Sequence, residues 1–219
     1  MVDNILYTFR RCPYAMRARW AILKVGLIVT LREIDLKKKP KELFEISPKA
    51  TVPVLLTSTG KIIDESIDIM LWALQISSQV DQINTKGEEV FSLITENDNV
   101  FKYHLDRFKY SSRYEKSKIE YHRKEAIQIL YKWNERISES NNNKNKYCLV
   151  GNNESIADWA LWPFVRQYKI ADPEIFEKSH QLKNLDKWLN YYIENKLFKA
   201  LMIKLEKWDD KQLPIKFGI

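Results

Sequence analysis

Apolar and polar residues alternate over short stretches in the first third of the chain, whereas apolar residues recur every three or four positions in the rest. Ile5-Leu6-Tyr7-Thr8-Phe9 and Ile28-Val29-Thr30-Leu31-Arg32-Glu33-Ile34 are β-branched, aromatic and alternating, and predict strands. Tyr14 to Val25 and Glu65 to Ile76 predict helices, the second with Ile69, Trp72, Ala73 and Ile76 on one face. Between them lies a short helix over Pro40 to Ile46. Val52-Pro53-Val54-Leu55-Leu56 and Lys61-Ile62-Ile63 then flank Thr57-Ser58-Thr59-Gly60 as a hairpin. In this β-α-β-α-β-β-α order a crossover pairs the first two strands in parallel, and the hairpin adds an antiparallel edge.

The chain turns polar from about Ser77 to Gly87, which places a linker at 79–87. Beyond it, 88–219 reads as all-helical. Ile119, His122, Ala126, Leu130, Trp133 and Ile137 form one helix face, and Leu182 to Ile193 and Lys196 to Leu205 predict two further helices. Ser140 to Asn145 reads as a polar loop. The fold class is therefore α/β plus all-α: an α/β domain over 1–78, the linker, and a helical domain over 88–219.

At 219 residues, with 45% hydrophobic and 30% charged residues, the chain can bury a substantial core in one or two domains. No apolar run approaches the length of a membrane span, and Met1-Val2-Asp3-Asn4 does not open a signal peptide. Two cysteines far apart, Cys12 and Cys148, make no disulfide framework and point to a reducing, cytoplasmic setting. The net charge of +7 comes from 36 basic residues, 26 of them lysines scattered among acids, and Lys37-Lys38-Lys39 is flanked by Glu33, Asp35 and Glu42. Such a surface attracts small anions and does not form a nucleic-acid patch. His104, His122 and His180 have no metal-ligand spacing, so no metal is expected, and His122 reads as a core or boundary residue. Asn153-Glu154-Ser155 is a glycosylation sequon that a cytoplasmic chain would not use.

The chemistry-bearing feature is Cys12, between the first strand and the first helix. Pro13 suits a first helical position, so the thiol stands at the positive end of a helix, with Arg10, Arg11 and Arg17 close in sequence. These factors favour the thiolate, which is the nucleophilic form. A second local signal is Ser155-Ile156-Ala157-Asp158, a capping box with Asp158 in the place usually held by Glu. Its role is structural. Pro163 is expected to kink the helix that this box opens.

Together these pieces resemble the cytosolic glutathione S-transferases over nearly the whole chain, with a thioredoxin-like first domain. Cys12-Pro13-Tyr14-Ala15 looks most like the cysteine-type members: the omega class, its dehydroascorbate-reductase relatives, and a two-domain glutaredoxin. Ala15 stands where the glutaredoxin has a resolving cysteine, so thiol exchange here would be monothiol. The resemblance implies a glutathione site. Val52 before a cis Pro53 would present its backbone to the cysteinyl part, as β-augmentation. Glu65 would take the ammonium and Ser66 the carboxylate of the γ-glutamyl group, while Lys39 would take the glycyl carboxylate. A second-substrate pocket would draw on Tyr103, Phe108, Tyr110, Tyr114, Trp162 or Trp208.

The implied function is a glutathione-dependent thiol transferase or reductase with Cys12 as nucleophile and glutathione as co-substrate. Its second substrate would be a disulfide on a small molecule or protein, or dehydroascorbate, and a homodimer is the family habit. One alternative is a conjugating transferase in which Tyr7, Thr8 or Tyr14 activates glutathione. The other is a non-enzymatic interaction protein on the transferase fold.

Overall fold

The computed structural model describes residues 3–78, 83, 85–140 and 147–218. The chain forms β1 (Ile5–Thr8), α1 (Pro13–Lys24), β2 (Val29–Glu33), α2 (Lys41–Ile46), β3 (Val54–Leu56), β4 (Ile62–Ile63) and α3 (Ser66–Ile76). Next come α4 (Glu88–Thr95), a π-helical segment (Glu96–Phe101) and α5 (Lys102–Lys109). After two 3-10 turns follow α6 (Ile119–Ser140), α7 (Ile156–Ala171), α8 (Pro173–Lys178) and α9 (Lys183–Ile193). The chain ends in α10 (Lys196–Leu201) and β5 (Ile215–Phe217).

Two compact units result: Met1–Gln82 with Asn195–Ile219, and Ile83–Glu194. The first is built on a sheet in the order β4-β3-β1-β2-β5. β1 and β2 run parallel, with Leu6 opposite Leu31, and β3 lies antiparallel to β1, with Leu55 opposite Leu6. The hairpin between β3 and β4 turns through Gly60 at φ +83°, in the left-handed region that glycine adopts without steric cost. Buried Leu6, Leu31 and Leu55 point to one side of the sheet, and Tyr7, Ile34, Leu43, Val52 and Val54 cluster together.

The C-terminus departs from expectation. The sequence reading assigned all of 88–219 to the helical domain, yet residues from Asn195 onward belong to the first unit. β5 pairs antiparallel with β2, Val29 opposite Phe217, and α10 packs on α1. Without β5, β2 would be a sheet edge of unpaired backbone groups. Three strand residues are too few to show as a period. The helix expected to reach Leu205 stops at Leu201.

α3 shows a smaller shift of face. Ile69 and Ala73 are buried as predicted, but Met70 and Leu74 complete the buried stripe while Ile76 is 57% exposed. In α6 the predicted face from His122 to Ile137 is buried. The expected linker includes residues 79–82 and 84, and the polar loop includes residues 141–145, all outside the described residues. Among the described residues, no helix is long and apolar enough to cross a membrane.

The second unit packs its helices around buried Trp133, Trp159, Trp162 and Trp188. Its firmest local feature is the start of α7. Asp158 N–H donates to Ser155 Oγ at 3.4 Å, and Asp158 Oδ2 accepts from Ser155 N–H at 2.8 Å, a complete capping box. Asp158 Oδ1 also accepts from Leu149 N–H at 2.8 Å and from Trp188 Nε1–H at 2.9 Å. Burial pushes the Asp158 carboxyl up, and these hydrogen bonds oppose that shift.

Candidate functional site

Cys12 is the N-cap residue of α1, in extended conformation at φ −74° and ψ 121°, with Pro13 opening the helix. The turn is pinned on both sides: Cys12 N–H donates to Phe9 O at 3.0 Å, and Met16 N–H donates to Cys12 O at 2.9 Å. The half-buried thiol donates to the Val52 carbonyl at a sulfur–oxygen distance of 3.6 Å. The Val52–Pro53 peptide is cis. A thiol at one helix end thus faces a backbone carbonyl from the turn ahead of β3, forty residues later.

The cation beneath this turn is one that the sequence reading left out. Arg19 is buried in α1 and donates to Arg10 O at 2.6 Å, Leu201 O at 2.9 Å and Ala15 O at 3.4 Å. Burial pulls its guanidinium down to about 10, with Glu33 and Cys12 drawing it back up. Glu33 is itself buried and accepts from Arg10 N–H at 2.8 Å. Arg17, read as a cation near Cys12, is fully buried and reaches Ser66 instead, Nη1 to Oγ 3.3 Å.

Glu65 and Ser66 share the start of α3. Glu65 is its extended N-cap residue but makes no capping bond through its side chain; its carboxylate pairs with Lys49 Nζ at 2.7 Å. Lys49 had no sequence signal, being sixteen residues away with no periodic relation to Glu65. Lys39 stands half-buried just ahead of α2.

The hydroxyls weighed as alternatives are differently placed. Tyr7 is buried, its hydroxyl accepts from Arg32 Nη1, and burial raises its pKa. Thr8 is fully buried, and its hydroxyl has no hydrogen-bond partner among the described residues. Tyr14 is half-buried, with the Arg17 guanidinium 5.2 Å from its ring centroid. Of the aromatics considered for a second substrate, Trp162 is a core residue stacked on Tyr192 at 5.6 Å. Tyr103 and Tyr114 are exposed and both meet the Arg107 guanidinium. A cavity of about 560 Å³ in the second unit, lined by Glu89, Glu96, Lys132, Trp133 and Arg136 among others, contains none of the predicted site residues. No cluster of three or more His, Cys, Asp and Glu side chains is placed to hold a metal ion among the described residues.

Sequence and fold comparisons bear on this arrangement. A "Probable glutathione transferase" of Aplysia californica is 41% identical over 58 residues, covering 26% of this chain and 63% of that protein. "Glutathione S-transferase omega-1" of Mus musculus is 37% identical over 62 residues, covering 28% of this chain and 26% of that protein. A glutathione transferase family member from Pseudomonas fluorescens, solved with two glutathione bound, superposes with a TM-score of 0.74 at 16% identity, covering 92% of this chain and 93% of that one. That last likeness is one of fold. The family model for the glutathione S-transferase N-terminal domain matches residues 6–80, and the model for the C-terminal domain of the same family matches residues 97–195. The chain therefore belongs to the glutathione S-transferase family.

Proposed function

We propose that this protein is a cysteine-type glutathione transferase that reduces glutathione mixed disulfides through Cys12. The Cys12 thiolate attacks the glutathionyl sulfur of a mixed disulfide, forming a Cys12–glutathione disulfide and releasing the other thiolate, which takes a proton from solvent. The thiolate of a second glutathione then attacks the glutathionyl sulfur, producing glutathione disulfide and returning Cys12 as thiolate. In this reading the Val52 backbone pairs with the cysteinyl part, Glu65 takes the ammonium, Ser66 the α-carboxylate and Lys39 the glycyl carboxylate. Dehydroascorbate is a second oxidant such a site would accept. Cys12 and Cys148 are both outside disulfides, which suits a reducing, cytoplasmic setting.

The supporting observation is the placement of Cys12 Sγ at the α1 N-terminus, 3.6 Å from the Val52 carbonyl. A ligand strand pairing with Val52 would bring its own sulfur toward Cys12. The stretch shared with the mouse omega-1 protein points the same way. The conjugating alternative needs a hydroxyl donor, and the Tyr7 hydroxyl is buried and engaged by Arg32.

The test is Cys12→Ser. Deglutathionylation of a mixed disulfide and dehydroascorbate reduction should be lost, and glutathione disulfide should add one glutathionyl mass at position 12 only in the unaltered protein. Full reductase activity in Cys12→Ser defeats the mechanism. Conjugation of chlorodinitrobenzene as the sole activity would establish the conjugating alternative. Turnover by neither protein would favour an interaction role.

A further inference from the structure

A fully buried arginine next to the proposed γ-glutamyl site is not accounted for by the reaction above. Arg17 lies in α1, yet its guanidinium extends to the first residue of α3, with Nη1 3.3 Å from Ser66 Oγ. The same guanidinium sits 5.2 Å from the Tyr14 ring centroid, which gives its flat face a second contact. Ser66 is itself buried, only 5% exposed, so its hydroxyl has few directions open to it.

We infer that Arg17 is a positioning residue that sets Ser66 as a hydrogen-bond donor toward the α-carboxylate of a γ-glutamyl ligand. The inference rests on reading Ser66 as the carboxylate site. A serine hydroxyl has one hydrogen to donate and two lone pairs to accept with, whereas a guanidinium has donors and no acceptor. An Arg17 N–H on the Ser66 oxygen uses a lone pair and cannot receive the hydroxyl hydrogen. That hydrogen is left to point away from Arg17. A carboxylate oxygen, an acceptor only, is the partner such a hydroxyl suits. The buried positive charge behind Ser66 favours the same ligand group and opposes an ammonium. Arg17 therefore contributes to selecting which end of the γ-glutamyl moiety enters, without touching it.

The experiment compares two peptides by calorimetry on the full chain. One is S-methylglutathione, which cannot form a disulfide. The other is S-methyl-(4-aminobutyryl)cysteinylglycine, the same molecule without its α-carboxylate. The unaltered protein should prefer the first by at least about tenfold, the size of one charge-assisted hydrogen bond. Arg17→Met and Ser66→Ala should each reduce that preference below about threefold while affinity for the carboxylate-free peptide changes little. The double variant should lose no more than either single one, and Arg17→Lys should recover part of the preference. Equal loss of both peptides in Arg17→Met would make Arg17 a structural link between α1 and α3 and overturn the inference, as would additive losses in the double variant. Should Arg17→Met fail to fold, Ser66→Ala decides: loss of preference supports the inference, and retention removes the group through which Arg17 would act. An unaltered protein that binds the first peptide without preference overturns this inference alone. One that binds neither peptide overturns the glutathione site with it.

Discussion

Lys49 Nζ stands 2.7 Å from Glu65 Oε1, so the carboxylate assigned to a ligand ammonium already holds a cation. Both side chains are more than half exposed, and an ion pair of this kind is weak and screened by salt. A ligand ammonium that also gains the rest of a binding site would displace Lys49. Lys49→Ala should therefore tighten glutathione binding about twofold by removing the competitor. Glu65→Ala should weaken it about tenfold. Calorimetry at low salt reads both; weaker binding in Lys49→Ala would show that Lys49 serves the ligand directly.

The start of α7 gives a stability prediction. Asp158 accepts from two backbone N–H groups, the Ser155 hydroxyl and the Trp188 indole, all buried. Asp158→Ala leaves those donors without an acceptor and should cost about 3 kcal/mol or more, whereas Ser155→Ala, which removes one cap, should cost about 1 kcal/mol. Urea unfolding followed by tryptophan fluorescence measures both. Equal costs would mean that Asp158 acts through the capping box alone.

A histidine pair supplies a pH dependence. His104 on α5 and His122 on α6 are buried, with Nδ1 atoms 3.0 Å apart, close enough to share one proton. Burial is the main cause lowering both pKa values; His122 and Arg107 add to it at His104, and Arg107 and Lys118 at His122. Glu125 opposes the shift at both, Glu115 at His122, and Tyr103 and Tyr121 supply ring contacts around the pair. A lowered pKa means that the unfolded chain binds more protons in this range. The contribution is thus full above the ordinary histidine value of about 6.5 and is lost as pH falls through the folded values. Urea midpoints at pH 7.5 and 5.5 should drop more in the unaltered protein than in His122→Gln; identical drops would remove the pair from the pH response.

Gly218 follows β5 at φ +148°, and a Cβ there would lie 2.2 Å from the Leu27 carbonyl oxygen and 2.9 Å from Ile28 Cα. Gly218→Ala should force β5 away from β2. Amide exchange at residues 29–31 should then accelerate, since Val29 to Leu31 pair with Phe217 to Ile215. Unchanged protection would show that the backbone absorbs the clash locally.

Sequence alone was enough wherever the partners lie within a turn or two of each other. A proline after Cys12 marks a helix start because its ring presets the backbone angle, and Ser155 finds Asp158 because three residues is the spacing that closes a cap. The alternating strands and the order of the α/β unit were readable for the same reason: side-chain period follows from backbone geometry. Nothing local links Lys49 to Glu65, Arg17 to Ser66, His104 to His122, or Ile215–Phe217 to β2. Those partners meet because hydrophobic burial folds the chain back and brings distant segments side by side. Arg17 shows the difference most clearly: five residues from Cys12 in sequence, it counted as a cation for the thiol, whereas its direction from α1 carries it to α3. The charge was legible in the chain, but the group it serves was decided by which helix packs against which.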